Sequence, residues 1–138
     1  MKQFLRIILF FSIVSILLYS CDPNDNDSPL DDPRDRFVGN WICAETSSQN
    51  GASSFTVSIS LKPDNSSQIL LTNFYQLGAN AKVYAVVAGT YASIPEQTVS
   101  GFTIKGNGTL INNFTRIDWT YQVNDGADLD NCTAVYTK

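Results

Sequence analysis

The chain has 138 residues, a formal net charge of −4 and no histidine. With no basic patch or arginine cluster, the charge pattern argues against nucleic-acid binding. The missing histidine removes His-based catalytic triads and most zinc sites. Chain length, once the first 36 residues are set aside, suits one hydrophobic core rather than two.

Lys2 and Arg6 precede an almost wholly apolar run from Ile7 to Tyr19. That run is shorter than the ~20 apolar residues of a membrane span. It has the size and flanks of a secretory signal. It ends in Leu18-Tyr19-Ser20-Cys21, which resembles the lipobox of bacterial lipoproteins: leucine three before the cysteine and a small residue just ahead of it. The resemblance implies cleavage before Cys21 and acylation of the cysteine. Two or three acyl chains give a stable membrane anchor where one does not. Residues 1–20 are therefore expected to be a lipoprotein signal peptide, and Cys21 the lipidated residue.

Residues 21–36 are expected to be a disordered acidic tether. They are rich in aspartate and proline and hold one large apolar side chain, Leu30. Such a stretch buries too little surface to offset its ordering entropy. The acidic cluster behind the cysteine resembles the surface-export tag of lipoproteins from the Bacteroidota. The implied address is the cell envelope, at the outer membrane, with surface exposure left open.

Residues 37–138 read as one all-β domain. Phe55, Val57, Ile59 and Leu61 alternate with small polar residues, and so do Ile117, Trp119, Tyr121 and Val123. This is the period of two of a half-buried strand. Turn signals leave about eight strands: 39–46, 54–62, 67–74, 81–88, 90–94, 98–111, 114–124 and 131–138. Pro95-Glu96-Gln97 reads as a turn, and Gly106-Asn107-Gly108 as a bulge or sharp bend. The expected fold is a single antiparallel up-and-down β-barrel, with a β-sandwich as the alternative. Trp41 precedes both Cys43 and Cys132, whereas an immunoglobulin domain places its tryptophan between two cysteines.

Cys43 and Cys132 fall in the first and last strands. In a closed barrel those strands are antiparallel neighbours. Opposed cysteines there are expected to form a disulfide, with two buried free thiols as the alternative.

Gly39-Asn40-Trp41 at the entry to the first strand resembles the Gly-x-Trp opening of lipocalins and their calycin relatives. The resemblance implies a barrel with the tryptophan at its closed end, a basic residue over that ring, here Lys138, and a small apolar ligand in the open end. Residues 37–138 also resemble small, mostly uncharacterised Bacteroidota lipoproteins. The phrases that carry this are Asn73-Phe74-Tyr75, Ile94-Pro95-Glu96-Gln97-Thr98-Val99-Ser100-Gly101 and Val123-Asn124-Asp125-Gly126-Ala127-Asp128. That likeness implies the address and the β fold but no activity.

Paired carboxylates could in principle support hydrolysis, and Glu45, Glu96 and Asp118 are the candidates. Glu45 shares the strand phase of Trp41 and Cys43. It is either an inward carboxylate that anchors a ligand or a strand-end residue in water. The oxygen-rich loop from Asp125 to Asp130 lacks EF-hand spacing and reads as an acidic hairpin turn rather than a calcium site. No metal or cofactor is expected. Adjacent Phe74 and Tyr75 would face opposite ways in a strand, which makes them the candidate protein-contact residues.

The expected function is non-catalytic: a lipid-anchored binding module for a small apolar or amphipathic ligand, with Trp41, Glu45, Trp119 and Tyr121 as its lining. The alternative is an interaction protein of the envelope that contacts another protein or a glycan through its outer face or loops.

Overall fold

A computed structural model describes residues 31–138. The expected signal peptide, Cys21 and most of the expected tether lie outside the described residues. Eight strands form a closed antiparallel barrel in sequence order. They are β1 (Gly39–Ser47), β2 (Gly51–Leu61), β3 (Gln68–Thr72), β4 (Lys82–Ala88), β5 (Tyr91–Val99), β6 (Phe102–Ile111), β7 (Arg116–Asn124) and β8 (Leu129–Thr137). Alternate side chains of each strand point inward, and they make one continuous apolar core. The all-β, up-and-down barrel expected from the sequence is the fold observed.

The boundary between β5 and β6 differs from the one read in the sequence. Pro95 and Glu96 form no turn; they lie in β5, where the pairing with β6 slips between Ile94 and Gln97. A proline without an N–H is tolerated at such a bulge. The turn comes later, at Ser100 and Gly101, both with positive φ. Gly106 and Gly108 lie in uninterrupted register with β7, opposite Tyr121 and Trp119. They are needed for space rather than for a bulge: a Cβ on Gly108 would come within 2.6 Å of the Trp119 ring. The Trp119 ring thus lies over Gly108, and at Gly106 it is the Tyr121 Cβ and the β7 backbone that leave no room for a side chain.

One end of the barrel, here called the floor, is closed before β1 begins. Residues Pro33–Arg36, read from sequence as the end of the disordered tether, form a 3-10 turn capped by the Asp32 side chain. Buried Arg34 donates to the carbonyl oxygens of Asn65 (2.8 Å) and Gln68 (3.2 Å), which ties the turn to the β2–β3 connection. Proline at the start of the turn and a capping aspartate are local signals that outweigh the polar composition. Buried Phe37 follows, and its carbonyl accepts the indole N–H of Trp41 at 2.7 Å. The Lys138 ammonium sits 4.4 Å from the centre of the Trp41 ring and donates to the Val38 carbonyl at 3.0 Å. This is the contact that the Gly-x-Trp resemblance implied for Lys138.

β1 and β8 close the barrel, but not in the register that would join the cysteines. Cys43 pairs with Tyr136, and Cys132 pairs with Ser47. The two cysteines are four residues apart along the seam, about 13 Å at ~3.3 Å per residue. A disulfide needs Cα atoms within about 7 Å. Both are free, buried thiols, so the expected bridge is replaced by its alternative. Burial pushes the Cys43 thiol up to about 12, which leaves it almost without thiolate at neutral pH. We therefore expect neither thiol to react with iodoacetamide in the native protein and both to react after unfolding without reductant. Mass spectrometry would show this, and a pair that stays unlabelled in denaturant would reinstate the bridge.

Candidate functional site

The inner faces of β1, β8, β7 and β6 stack in three rows. Nearest the floor lie Cys43, Tyr136, Ile117 and Leu110; then Glu45, Ala134, Trp119 and Gly108; then Ser47, Cys132, Tyr121 and Gly106. Small residues alternate with large ones, so the middle of the barrel is filled by Trp119, Tyr121 and Tyr136. The Trp119 and Tyr136 rings lie 5.8 Å apart.

A fourth ring enters from the opposite end, the rim. The β3–β4 connection makes a short 3-10 turn, Phe74–Gln76. Phe74 is fully buried beneath it. Its ring lies 4.5 Å from that of Tyr121 and 6.3 Å, edge-on, from that of Trp119. Tyr75 is half-buried, and its hydroxyl donates to the Asp130 carboxylate at 2.7 Å. Of the two candidate contact residues, Phe74 is thus buried and Tyr75 partly exposed. They do not belong to a strand, and the turn drives one ring into the barrel and locks the other across the mouth. The turn is strained. Asn73, Tyr75 and Gln76 all have left-handed backbone, with φ of 64°, 52° and 58°, which L-residues with bulky side chains avoid.

Asp130 is the hub of the rim. It is only 4% exposed. It accepts from the hydroxyls of Ser47 (2.5 Å), Ser48 (2.9 Å) and Tyr75, and from the Gln49 amide (3.2 Å). Burial works to raise its pKa, but these donors outweigh burial and hold it well below the usual carboxylate range. Above this hub, Gln49, Asn50, Tyr75, Asp125 and Asp128 help line a polar vestibule of about 260 Å3. Asp125 caps its own turn, accepting from the amides of Ala127 (2.9 Å) and Asp128 (2.8 Å). Among the described residues no cluster of acids or cysteines could hold a metal ion.

The carboxylate deepest in the barrel is Glu45, 4% exposed. The Tyr121 hydroxyl donates to its Oε2 in a short hydrogen bond. Its Oε1 has only a long contact from Ser53, at 3.5 Å. Desolvation raises its pKa against the opposing Tyr121 bond, and the Asp130 charge adds to the rise. Also buried among these rings are the Trp119 indole N–H, which has no partner, and the Tyr136 hydroxyl, whose one polar neighbour is the Cys43 thiol. Of the residues expected to line a site, Glu45, Trp119 and Tyr121 meet here, whereas Trp41 belongs to the floor. Glu96 and Asp118 face outward, beside Lys105 (3.6 Å) and Arg116 (2.6 Å), and do not converge with Glu45. Asp130 and Tyr136 were not among the expected site residues. The inward phase of Cys132 and Ala134 in β8 was the signal that could have found both.

A further cavity, of about 560 Å3, lies elsewhere. It is a trough on the outer face of β1, β8, β7 and β6, bordered by outward residues such as Thr46, Thr133, Thr120 and Asn107.

No protein-family model matches the chain, and no curated protein does. Solved structures do resemble it in fold. A redesigned β-barrel superposes with a TM-score of 0.52 at 12% identity, covering 77% of this chain and 94% of that one. The protein EF1p2_mFAP2b, solved bound to DFHBI, superposes at 0.51 with 16% identity, covering 75% and 94%. A Bacteroides ovatus structural-genomics protein of unknown function gives 0.49 at 12% identity; this chain spans 40% of its length and is itself 72% covered.

Glu45 makes stability depend on pH in a defined direction. Its folded pKa is raised above the unfolded value. The stability it contributes is therefore complete below about 4.3, the unfolded value, and is lost as pH rises through the folded pKa. Glu45→Gln should match the native protein near pH 4 and gain relative stability as pH rises to 7. Urea unfolding across that range checks the sign, and a difference that stays flat with pH would show that Glu45 is not desolvated.

Proposed function

We propose that the barrel is a non-catalytic binding module. It admits a small apolar or amphipathic ligand through the rim into the chamber around Trp119, Tyr121 and Glu45. The observation that carries this reading is the set of unsatisfied polar atoms in an otherwise apolar interior. A core built only for stability would omit such groups or pair them, because a buried donor without a partner costs about 1–3 kcal/mol. Here the unpartnered Trp119 N–H, a Tyr136 hydroxyl with only a thiol beside it and a half-satisfied carboxylate lie among aromatic rings, the usual composition of a small-molecule pocket. That a barrel of this fold has been solved with DFHBI bound supports the capacity of the architecture to hold a small molecule. The vestibule supplies a route of entry.

The signal, Cys21 and acidic stretch support an address beside this activity: an envelope lipoprotein anchored by lipid, at the outer membrane. Cys21→Ser should move the protein out of the membrane fraction of a native host; persistence there after carbonate washing would exclude the lipid anchor.

The binding reading predicts that protein purified from its host membrane carries a non-covalent passenger. A native mass spectrum should show added mass that disappears on denaturation. A bare native mass, together with unchanged tryptophan fluorescence across fatty acids, aromatic alcohols and quinones, would reject it. One observation favours a second reading, contact with another envelope component through the outer face: the trough on β1, β8, β7 and β6. In that case amide resonances of Thr46, Thr120 and Thr133 would shift with envelope extract while the Trp119 indole resonance stayed still.

A further inference from the structure

The plug at the rim points to the class of ligand. We infer that Phe74 occupies the place of the ligand's own ring: the ligand is a planar aromatic compound with one N–H or O–H donor for Glu45 and one acceptor for Trp119. This rests on the interior-binding reading above and goes further by naming the chemistry and the moving part.

Phe74 comes from a loop, not from a strand. The barrel wall would remain closed without it, since all eight strand pairings are made by other residues. Its ring lies tilted on Tyr121 and edge-on to Trp119, the arrangement in which aromatic rings recognise one another. An aliphatic chain in the same slot would forfeit that pairing. Both rings that Phe74 meets lead to polar atoms: Trp119 carries an indole N–H without an acceptor, and the Tyr121 hydroxyl donates to Glu45, whose other oxygen has only a long contact from Ser53. Phe74 is a hydrocarbon and can satisfy neither. A ring of similar size that bears both a donor and an acceptor would replace its contacts and add two hydrogen bonds.

The segment that carries Phe74 is built to be released. Asn73 fixes one end: its side chain donates to the Thr56 carbonyl (2.8 Å) and accepts from the Gly78 amide (3.0 Å). Gly78, with φ of 91°, gives the other end freedom to turn. Between them the backbone is left-handed at Tyr75 and Gln76. The Tyr75 hydroxyl on Asp130 holds the segment down. The same hydroxyl accepts from Asn50 Nδ2 at 3.1 Å and the ring packs edge-on against Phe102 at 6.1 Å, so on this proposal the turn opens toward the vestibule only when these contacts give way together, and the Phe74 ring leaves with it. The hydroxyl of Tyr136, next to Cys43 at the foot of the chamber, offers a further donor to a ligand long enough to reach it.

The test is a titration of the full chain with 4-hydroxybenzaldehyde, which has a ring, a donor and an acceptor, against toluene, which has the ring alone. The readout is the indole N–H resonance of Trp119, with that of Trp41, already bonded to Phe37, as internal control. Native protein should bind 4-hydroxybenzaldehyde weakly and shift only the Trp119 resonance. Phe74→Ala should bind it about tenfold more tightly, since the ring no longer competes. Toluene should trail by about tenfold, the worth of one good hydrogen bond, and Glu45→Gln in the same background should narrow the gap. Tyr75→Phe keeps every ring and loosens only the latch. It should tighten binding several-fold, and it serves if Phe74→Ala fails to fold. Equal binding of toluene and 4-hydroxybenzaldehyde would overturn the donor–acceptor assignment. Binding that neither variant improves would overturn the plug. Capture of a long-chain fatty acid with the Trp119 resonance unmoved would defeat this inference and leave the binding module standing. Absence of any ligand in native and variant proteins would defeat both.

Discussion

Everything inside this barrel depends on the register in which β1 meets β8. The seam is the one pairing between strands distant in sequence, and the cost of closing it is recovered only when both ends seat together. Each end has its own lock. At the floor, the register brings the end of the chain beside Trp41, where Lys138 covers the ring and reaches the Val38 carbonyl. At the rim, Asp130 meets the turn after β1 and gathers the hydroxyls of Ser47 and Ser48 and the amide of Gln49. A two-residue slip would keep every side chain on its proper face and lose both locks together. The polar contacts choose among registers that the hydrophobic pattern alone would accept.

That choice sets the chemistry of the chamber. It places Ala134 between Glu45 and Trp119, and Cys132 between Ser47 and Tyr121. Opposite, Gly108 leaves room for the Trp119 ring, and Gly106 for the close approach of β7 at Tyr121. Two carboxylates stand at the rim half of the barrel in unlike surroundings. Asp130 is flooded with donors and stays ionised, while Glu45 is desolvated and pushed toward its neutral form. Asp130 thus serves structure, as a fixed charge that holds a loop down. Glu45, with an oxygen to spare, is the one free to meet a guest.

The sequence made the alternation of strands legible, and with it the closed all-β fold and the inward phase of Trp41, Glu45, Trp119 and Tyr121, because a period of two is a local property. The register of β1 on β8 was not legible. Pairing Cys43 with Cys132 was attractive chemistry, but a register depends on contacts at the ends of strands, and those contacts come from loops. Proline and glycine misled for a related reason. Pro95 signalled a turn where the sheet needed a bulge, and Gly106 and Gly108 signalled a bulge where the core needed room. Phe74 and Tyr75 were placed in a strand by their hydrophobicity, whereas three left-handed residues around them turn the chain inward, and no local pattern of side chains announces that.

A plugged chamber is compatible with binding if the plug is cheap to lift, and the magnitudes allow it. Burial of a phenylalanine side chain is worth about 2–3 kcal/mol, and a hydrogen bond to an ionised carboxylate about 1.5–3 kcal/mol. Against these, left-handed backbone at Tyr75 and Gln76 costs roughly 1–2 kcal/mol each. On the proposed reading these opposing contributions are of similar size, so an open form would lie within a few kcal/mol of the closed one. A ligand that bound only such an open form would lose affinity in proportion to its population, and two new hydrogen bonds to Glu45 and Trp119 would offset that loss. A purely apolar guest has no such compensation, because Phe74 already supplies everything that an apolar ring could offer. On the proposal above, the strain in the turn would make the plug a selector, excluding ligands that merely resemble phenylalanine and admitting those that also satisfy the polar atoms near it.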